Sequence, residues 1–96
     1  MLRLLYTPLA KRDIATIHAW SVRQFGAGQA DHYVRLINTT LKHAAEVPGI
    51  LRDASDVRAG LHKLHTGSHV SFVRLGEDEL RVVRILHGRM DPERWV

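Results

Sequence analysis

Residues 80–90, LRVVRILHGRM, place basic side chains and a histidine within an aliphatic run. The side chains of this run that could do chemistry are Arg81, Arg84, His87 and Arg89. Cleavage of RNA without a metal ion requires a base for the 2′-hydroxyl, an acid for the leaving 5′-oxygen and cations around the phosphorane. The candidate catalytic set for that chemistry is Arg58, Arg84 and His87, with Arg81 as a further cation.

The same arginines suit a second chemistry, which is recognition of an acidic partner. Arginine pairs bidentately with carboxylate or phosphate groups. An arginine among aliphatic residues must reach a carboxylate or water, because an unpaired buried charge is costly. Arg81 and Arg84 are therefore predicted to face a partner rather than to catalyse, and His87 is predicted to bind backbone or a partner at the strand end.

The seven histidines do not suggest a metal site. His62, His65 and His69 are the closest group, but His62 and His65 differ by three positions and would point to opposite faces of one strand. No carboxylate accompanies them at a matching spacing, and the chain has no cysteine to supply a thiolate ligand. We therefore predict no metal and no cofactor.

Length and composition limit the chain to one domain, residues 1–96. A 96-residue chain with 45% hydrophobic residues can bury one compact core. The net charge of +4 comes mainly from arginine and favours an acidic partner. The arginines are spread over the predicted strands, loops and helices, so direct nucleic-acid binding is not expected. No stretch approaches the roughly 20 apolar residues of a membrane span, which favours a cytoplasmic protein without membrane contact.

Periodicity predicts the elements that must position these side chains. The segment RLLY is a short strand, and the Thr-Pro pair after it is a typical helix start. Apolar residues at helical spacing predict helices over 8–25 and 28–46. The segments LHKLH, HVSFVRL and ELRVVRILH predict an antiparallel meander whose last strand covers 79–87, with the first strand beside it. The fold class is α+β in the order β-α-α-β-β-β, with the helical hairpin packed on one face of a small, mainly antiparallel sheet.

Alternation along the last strand predicts which side chains share a face. Leu80, Val82, Arg84 and Leu86 fall on one face, and Arg81, Val83, Ile85 and His87 fall on the other. A strand that is apolar on both faces is typical of a central position. The face with Val83 and Ile85 would be exposed in an isolated sheet, so we expect another chain or the C-terminal tail to cover it.

The chain resembles the ParE branch of the RelE/ParE toxin superfamily, the toxin half of type II toxin-antitoxin pairs, over nearly its whole length. The matching segments are TPLAKRDIATIHAW with Ala10, Asp13, Ile14 and Ile17; FGAGQADHYVRLI with Phe25, Gly26, Ala30 and Tyr33; Pro48 after the second helix; VRAGLHKL; GSHVSFVR; and VVRILHGRMDPERW. Each segment alone is common in helices or strands. Their occurrence in this order, at this chain length, carries the resemblance.

The resemblance implies a toxin that inhibits DNA gyrase by protein contact and without catalysis. It also implies a ParD-like antitoxin whose acidic C-terminal segment neutralises the toxin in a hetero-oligomer. The RelE branch instead implies ribosome-dependent cleavage of mRNA, and a module that binds antitoxin without strong toxicity is a third alternative. RelE-type tails combine basic residues with a tyrosine near the end of the last strand, whereas Tyr6 and Tyr33 here lie in predicted packing elements.

The residues expected to bind antitoxin or target are Arg58, Arg81, Val83, Arg84, Ile85, His87, Arg89 and Trp95. A terminal tryptophan such as Trp95 is an efficient binding anchor when it is exposed. No residue is expected to act as a catalytic acid or base, so His87→Ala should leave growth inhibition largely intact. Arg81→Ala or Arg84→Ala should weaken antitoxin binding by at least about tenfold, because truncating one partner of a desolvated charge pair is costly.

Overall fold

The computed structural model describes residues 1–96 and consists of a helical hairpin packed on a five-stranded sheet. The strands are β1 (Arg3–Tyr6), β2 (Arg52–Asp53), β3 (Leu61–Thr66), β4 (His69–Leu75) and β5 (Glu79–His87). The helices are α1 (Pro8–Phe25), α2 (Ala27–Glu46) and the short α3 (Pro92–Trp95), with a 3-10 turn at Pro48–Ile50. The predicted α+β class and the order of the main elements are confirmed. Neither β2 nor α3 is predicted by the sequence, because two and four residues are too short to show a periodic pattern.

The sheet places β5 between two partners of opposite direction. The strand order is β1-β5-β4-β3-β2, in which β1 runs parallel to β5 and the other neighbours are antiparallel. The predicted meander is therefore confirmed, and the first strand pairs beside it. As the longest strand, with nine residues, β5 extends well beyond the four-residue β1.

The hairpin begins and turns where the sequence supplies the necessary residues. The Thr7 hydroxyl accepts a hydrogen bond from the Ala10 N–H at 3.1 Å, and Pro8 is the first residue of α1. Gly26, at a φ of 90°, separates α1 from α2, and its N–H donates to the Val22 carbonyl. A side chain at that φ would be strained, so glycine allows the two helices to reverse direction without a longer loop.

Two hydrophobic cores lie on opposite faces of the sheet. The core between the sheet and the hairpin contains Ile17, Ile37 and Leu41, and the half-buried Ile14 packs against it, as predicted. The core on the other face is made of the buried residues Ala54, Leu61, Val70, Phe72 and Leu86. The sheet is therefore covered on both sides, although only one side has helices of more than one turn.

A β-bulge at Val83 changes the face that each later residue of β5 occupies. Val82 lies opposite Val73 and Arg84 lies opposite Phe72, which leaves Val83 as the extra residue. One extra residue shifts the two-residue alternation by one position. The predicted face assignment is therefore wrong: Ile85, 2% exposed, lies in the helix-side core with Leu80 and Val82, whereas Leu86 lies in the other core.

The chain itself covers the sheet face that lies away from the hairpin. Val57, from the loop after β2, packs against this face, as do Met90 and Val96 from the C-terminal segment, residues 88–96. Val83 is half-buried against the same core. Val83 is thus covered from within the chain, and Ile85 needs no cover because it lies under the helices.

Candidate functional site

The backbone of β5 loses its parallel partner halfway along. The pairing of β1 with β5 ends at Tyr6 and Val82, and two side chains then take over the hydrogen bonds. The Thr7 hydroxyl donates to the Val83 carbonyl at 2.7 Å. Beyond it, a carboxylate oxygen of Asp13 accepts from the Ile85 N–H at 2.9 Å. The second half of β5 therefore has an open edge that faces α1.

The Asp13 carboxylate also fixes Arg84. The Arg84 guanidinium donates to both Asp13 oxygens, at 2.8 and 2.9 Å, and the two side chains are only 15% and 14% exposed. The hydrogen bond and the charge of Asp13 raise the pKa of Arg84, so the guanidinium stays charged. Arg84 is therefore neutralised by Asp13 within the chain.

Two arginines hold the C-terminal segment against the sheet. Arg84 donates to the Trp95 carbonyl at 2.7 Å, and Arg58 donates to the Val96 carbonyl. The tight fold of the segment begins at Met90, whose N–H donates to the His87 carbonyl at 2.9 Å. Arg58, Arg84 and Trp95, which the sequence treats as separate candidates, thus meet around one segment.

A tyrosine and two histidines form a cluster at the C-terminal end of β5. The Tyr33 hydroxyl lies 2.6 Å from His69 Nδ1 and 3.1 Å from the Thr66 carbonyl, and it accepts from the Ser68 N–H at 3.1 Å. The rings of His69 and His87 meet edge to face, with centroids 5.3 Å apart. The cluster joins α2, β4 and β5 at one point.

The hydrogen bonds of Tyr33 select one tautomer of His69. All three contacts are satisfied together when the phenol donates to Thr66 and His69 Nδ1–H donates to the phenol oxygen. Burial lowers the pKa of His69, and the proximity of His87 lowers that pKa further. At neutral pH His69 is therefore uncharged, with Nε2 free to accept a proton or a hydrogen bond.

Two adjoining hollows open beside this cluster and share Trp20, His69 and His87. The hollow between α1 and the open edge of β5, which we call the β5 groove, has a volume of about 330 Å³. Its lining residues are Asp13, Thr16, Ile17, Trp20, Arg23, His69, Ile85, Leu86, His87 and Met90. Trp20, which lines both hollows, and Phe25, which lines the second, are exposed and meet edge to face at 5.9 Å. Exposed aromatic residues beside cationic groups are typical of surfaces that bind proteins.

Comparison with known proteins decides the family of this chain. A family model described as the ParE toxin of the type II toxin-antitoxin system parDE matches residues 4–92. The chain belongs to the ParE toxin family. Toxin ParE1 of Mycobacterium tuberculosis is 38% identical over 93 residues, which cover 96% of this chain and 95% of that toxin. Toxin ParE1 of Caulobacter vibrioides is 35% identical over 82 residues, which cover 85% of this chain and 84% of that toxin.

A solved structure shows the same fold. The chromosomal ParDE toxin-antitoxin system from P. aeruginosa contains a chain that aligns with a TM-score of 0.78 and 21% sequence identity. The alignment covers 91% of this chain and 96% of that chain. The β-α-α-β-β-β arrangement is therefore the fold of a ParE toxin, as the sequence predicts.

In this ParE-family chain, Arg81 is the predicted site residue that lies apart from the arginines around the C-terminal segment. Arg81 lies on the first half of β5 and donates to Glu79 at 3.0 Å, with about half of its side chain exposed. The Arg89 N–H donates to His87 Nδ1 at 3.1 Å. Ile85 is buried and offers only its backbone to a partner. The predicted set is thus divided between two ends of one strand.

Three residues at this site in the ParE-family chain are not predicted from the sequence to be site residues. Asp13 stands out in the sequence only as part of the first-helix motif, and its partner Arg84 is 71 positions away. Tyr33 and His69 are 36 positions apart and show no spacing that links them. A carboxylate among the apolar residues of α1 is the one signal that could have pointed to Asp13, because such a group needs a partner.

The structure contains no group of three or more histidine, cysteine, aspartate or glutamate side chains arranged to hold a metal ion. Among its helices, none combines the length and the apolar character needed to cross a membrane.

Proposed function

We propose that this ParE-family toxin blocks DNA gyrase through protein contact and is kept inactive by a ParD-like antitoxin in a toxin-antitoxin hetero-oligomer. Membership of the ParE family supports the toxin role. The net charge of +4 suits an acidic antitoxin segment. The proposal requires the chain to act in the cytoplasm, where gyrase works on DNA.

The single observation that carries the non-catalytic mechanism is the use of the site arginines inside the chain. A phosphorane intermediate needs cations that are free to approach it. Arg84 is bound by Asp13 and the Trp95 carbonyl, and Arg58 is bound by the Val96 carbonyl. Two members of the candidate catalytic set, Arg58 and Arg84, therefore hold the C-terminal segment in place. This use of their guanidinium groups favours a toxin that acts by protein contact.

The proposed contact residues lie on and around the C-terminal segment, except for Arg81 on the first half of β5. They are Arg58, Arg81, Val83, Arg84, His87, Arg89 and Trp95, and Ile85 contributes through its backbone. Trp95 is 46% exposed although its carbonyl is fixed by Arg84, so it presents an apolar ring that is already ordered. An ordered aromatic side chain loses little conformational freedom on binding, which makes Trp95 the favoured anchor for gyrase.

Supercoiling of a relaxed plasmid by purified gyrase tests this function. The wild-type chain should inhibit the reaction, and the antitoxin encoded beside its gene should relieve the inhibition. Trp95→Ala should raise the inhibitory concentration by about tenfold or more. Arg35→Ala is the matched control, because Arg35 is exposed on α2 and far from the segment in sequence. Full gyrase activity at saturating wild-type toxin would overturn the proposal.

A second candidate function, ribosome-dependent cleavage of mRNA, is favoured by the cluster of Tyr33, His69 and His87. Uncharged His69 could accept a proton, and the His87 ring beside it is the second candidate proton carrier. Growth assays separate the two functions. For a gyrase toxin, in which His87 is one contact among several, His87→Ala should leave growth inhibition largely intact, whereas for a nuclease it should abolish it. Transcripts cut only in the presence of ribosomes, and no longer cut with His87→Ala, would establish the nuclease. A chain that binds antitoxin yet neither inhibits gyrase nor cleaves transcripts would be a binding module without toxicity.

A further inference from the structure

The hydrogen-bond pattern of β4 and β5 determines which backbone groups point to the open edge. The Gly88 N–H donates to the Ser68 carbonyl at 2.8 Å, so the facing residues His69 and His87 form a pair that exchanges no backbone hydrogen bonds. The alternate residue Ile85 has the same orientation, because its N–H donates to Asp13 on the far side. The N–H and C=O groups of Ile85 and His87 therefore point away from β4, toward α1 and the β5 groove.

Two of these four backbone groups are used within the chain. Asp13 accepts from the Ile85 N–H at 2.9 Å, and the His87 carbonyl accepts from the Met90 N–H at 2.9 Å. The Ile85 carbonyl and the His87 N–H remain. A sheet edge with unpaired groups of this kind is a template for another strand.

The remaining pair of groups fits only one strand direction. An antiparallel hydrogen-bonded pair needs the N–H and the C=O of the same residue, and neither Ile85 nor His87 has both free. A parallel bridge needs the C=O of one residue and the N–H of the residue two positions later, which are the groups of Ile85 and His87 on either side of Leu86. Strand β1 already pairs with β5 in parallel. A further strand at this edge would thus run parallel to β5, in the same direction as β1.

The β5 groove has the dimensions of a short strand. Its α1 wall runs from Asp13 to Arg23, about 15 Å at about 1.5 Å per residue. An extended segment of four or five residues, at about 3.3 Å each, spans that distance. Ile17 and Trp20 give the wall an apolar surface, and Met90 lies at the other side.

The charges in the groove favour an acidic occupant. Asp13 is neutralised by Arg84, whereas Arg23 is exposed and makes no ion pair. A strand that runs parallel to β5 has its C-terminal end near His87 and the later residues of α1. Carboxylates at that end would meet Arg23 and the two histidines.

We propose that the β5 groove binds an extended acidic peptide segment as an extra parallel strand, through the Ile85 carbonyl and the His87 N–H. The residue that bridges these groups lies beside Leu86, and its two neighbours point toward Ile17 and Trp20. Glutamate or aspartate residues follow at the Arg23 end. The segment belongs to the antitoxin, and that assignment rests on the proposed function.

A titration of the ¹⁵N-labelled full chain tests the groove without the antitoxin. The probe is an acetylated and amidated pentapeptide of the sequence valine, leucine, valine, glutamate, glutamate, added to millimolar concentration. We expect the largest amide shifts at residues 85–88 and at the Trp20 indole. The His87 amide should also exchange more slowly with solvent, because it gains an acceptor. Absence of these shifts, or larger shifts elsewhere, would overturn the proposal.

Matched probes and variants test the strand geometry. A peptide with an N-methylated leucine cannot donate to the Ile85 carbonyl and should bind about tenfold more weakly. Replacing both glutamates by lysine should abolish binding. Arg23→Ala should weaken binding severalfold, whereas Arg12→Ala, on the same helix but outside the groove, should not. Equal binding of the N-methylated and unmodified peptides would exclude a strand at this edge.

The outcome separates this proposal from the toxin function. An antitoxin complex in which the His87 amide remains unprotected, together with no response to the pentapeptide, would reject the groove and leave toxin neutralisation intact. A chain that binds the pentapeptide at residues 85–88 but does not inhibit gyrase would retain the groove and reject the toxin target.

Discussion

The two halves of β5 differ in what satisfies their backbone. From Glu79 to Val82 the strand has β1 on one side and β4 on the other, and Leu80 and Val82 are fully buried. From Arg84 to His87 it has β4 on one side and, on the other, the carboxylate of Asp13 and the N–H of Met90. The first half is paired with a strand on both edges, whereas the second half borders the β5 groove, the histidine cluster and the C-terminal segment.

One bulge separates the part of β5 that is paired on both edges from the part that is available for binding. The extra residue Val83 shifts the alternation of side chains between the two faces of the sheet. Its carbonyl accepts a hydrogen bond from the Thr7 hydroxyl, just after the pairing with β1 ends. Beyond it, side chains rather than a strand complete the hydrogen bonds. Side-chain partners can be displaced or extended by another chain more easily than a paired strand.

The largest effect should follow from opening a cavity in the first half of β5. Leu80 is fully buried in the helix-side core, so Leu80→Ala should lower the free energy of unfolding by about 3 to 4 kcal/mol. Leu75→Ala, at an exposed leucine of β4, should cost less than about 1 kcal/mol. Urea denaturation of both variants measures the contrast, and equal losses would mean that the first half of β5 contributes no more to the core than an exposed strand end.

The next effect should come from the carboxylate that caps the second half. Asp13→Ala leaves Arg84 and the Ile85 N–H without their partner and should cost about 2 to 3 kcal/mol. Asp31→Ala removes an exposed carboxylate that pairs with His18 and should cost less than about 1 kcal/mol. Hydrogen exchange at the Ile85 amide should accelerate in Asp13→Ala alone. An unchanged exchange rate would mean that another group accepts the hydrogen bond from the Ile85 N–H.

A smaller, pH-dependent effect should come from His69. Burial and the nearby His87 place the pKa of folded His69 below the usual value of 6.5, so the unfolded chain binds the proton first as the pH falls. The stability contribution is complete above about pH 6.5 and is lost as the pH falls below that value. The unfolding free energy of wild type should therefore fall more steeply than that of His69→Asn between about pH 7.5 and about pH 5.5. Parallel slopes for the two proteins would contradict the assignment.

The smallest effect on stability should come from Arg81, in the first half of the strand. Its pair with Glu79 is half exposed, so Arg81→Ala should change the unfolding free energy by less than about 0.5 kcal/mol. Arg84→Ala, which removes the partner of buried Asp13, should cost about 2 kcal/mol. A thermal unfolding series of the two variants tests this ranking. Similar losses would mean that the pair of Arg84 with Asp13 stabilises the fold no more than the exposed pair of Arg81 with Glu79.

Periodicity alone determines most of the architecture. Apolar spacing places α1 and α2 within about a residue of their observed bounds, and the turn signals separate β3, β4 and β5. These features are local, because helix caps and two-residue alternation depend on neighbours a few positions away. The family resemblance also follows from the order of short segments along the chain, and the family match confirms it.

The use of the second half of β5 depends on contacts between segments that are distant in the sequence. The bulge at Val83 depends on pairing with Phe72 and Val73, so simple alternation within β5 places Ile85 on the wrong face. The pair of Asp13 with Arg84 joins residues 71 positions apart, and the bond between Tyr33 and His69 joins residues 36 apart. A local pattern carries no information about such contacts, because they exist only when folding brings distant segments to one edge of the sheet. Local sequence patterns therefore determine the secondary-structure elements and indicate the family. Strand register and packing determine which polar groups of β5 are hydrogen-bonded within the chain and which remain for a partner.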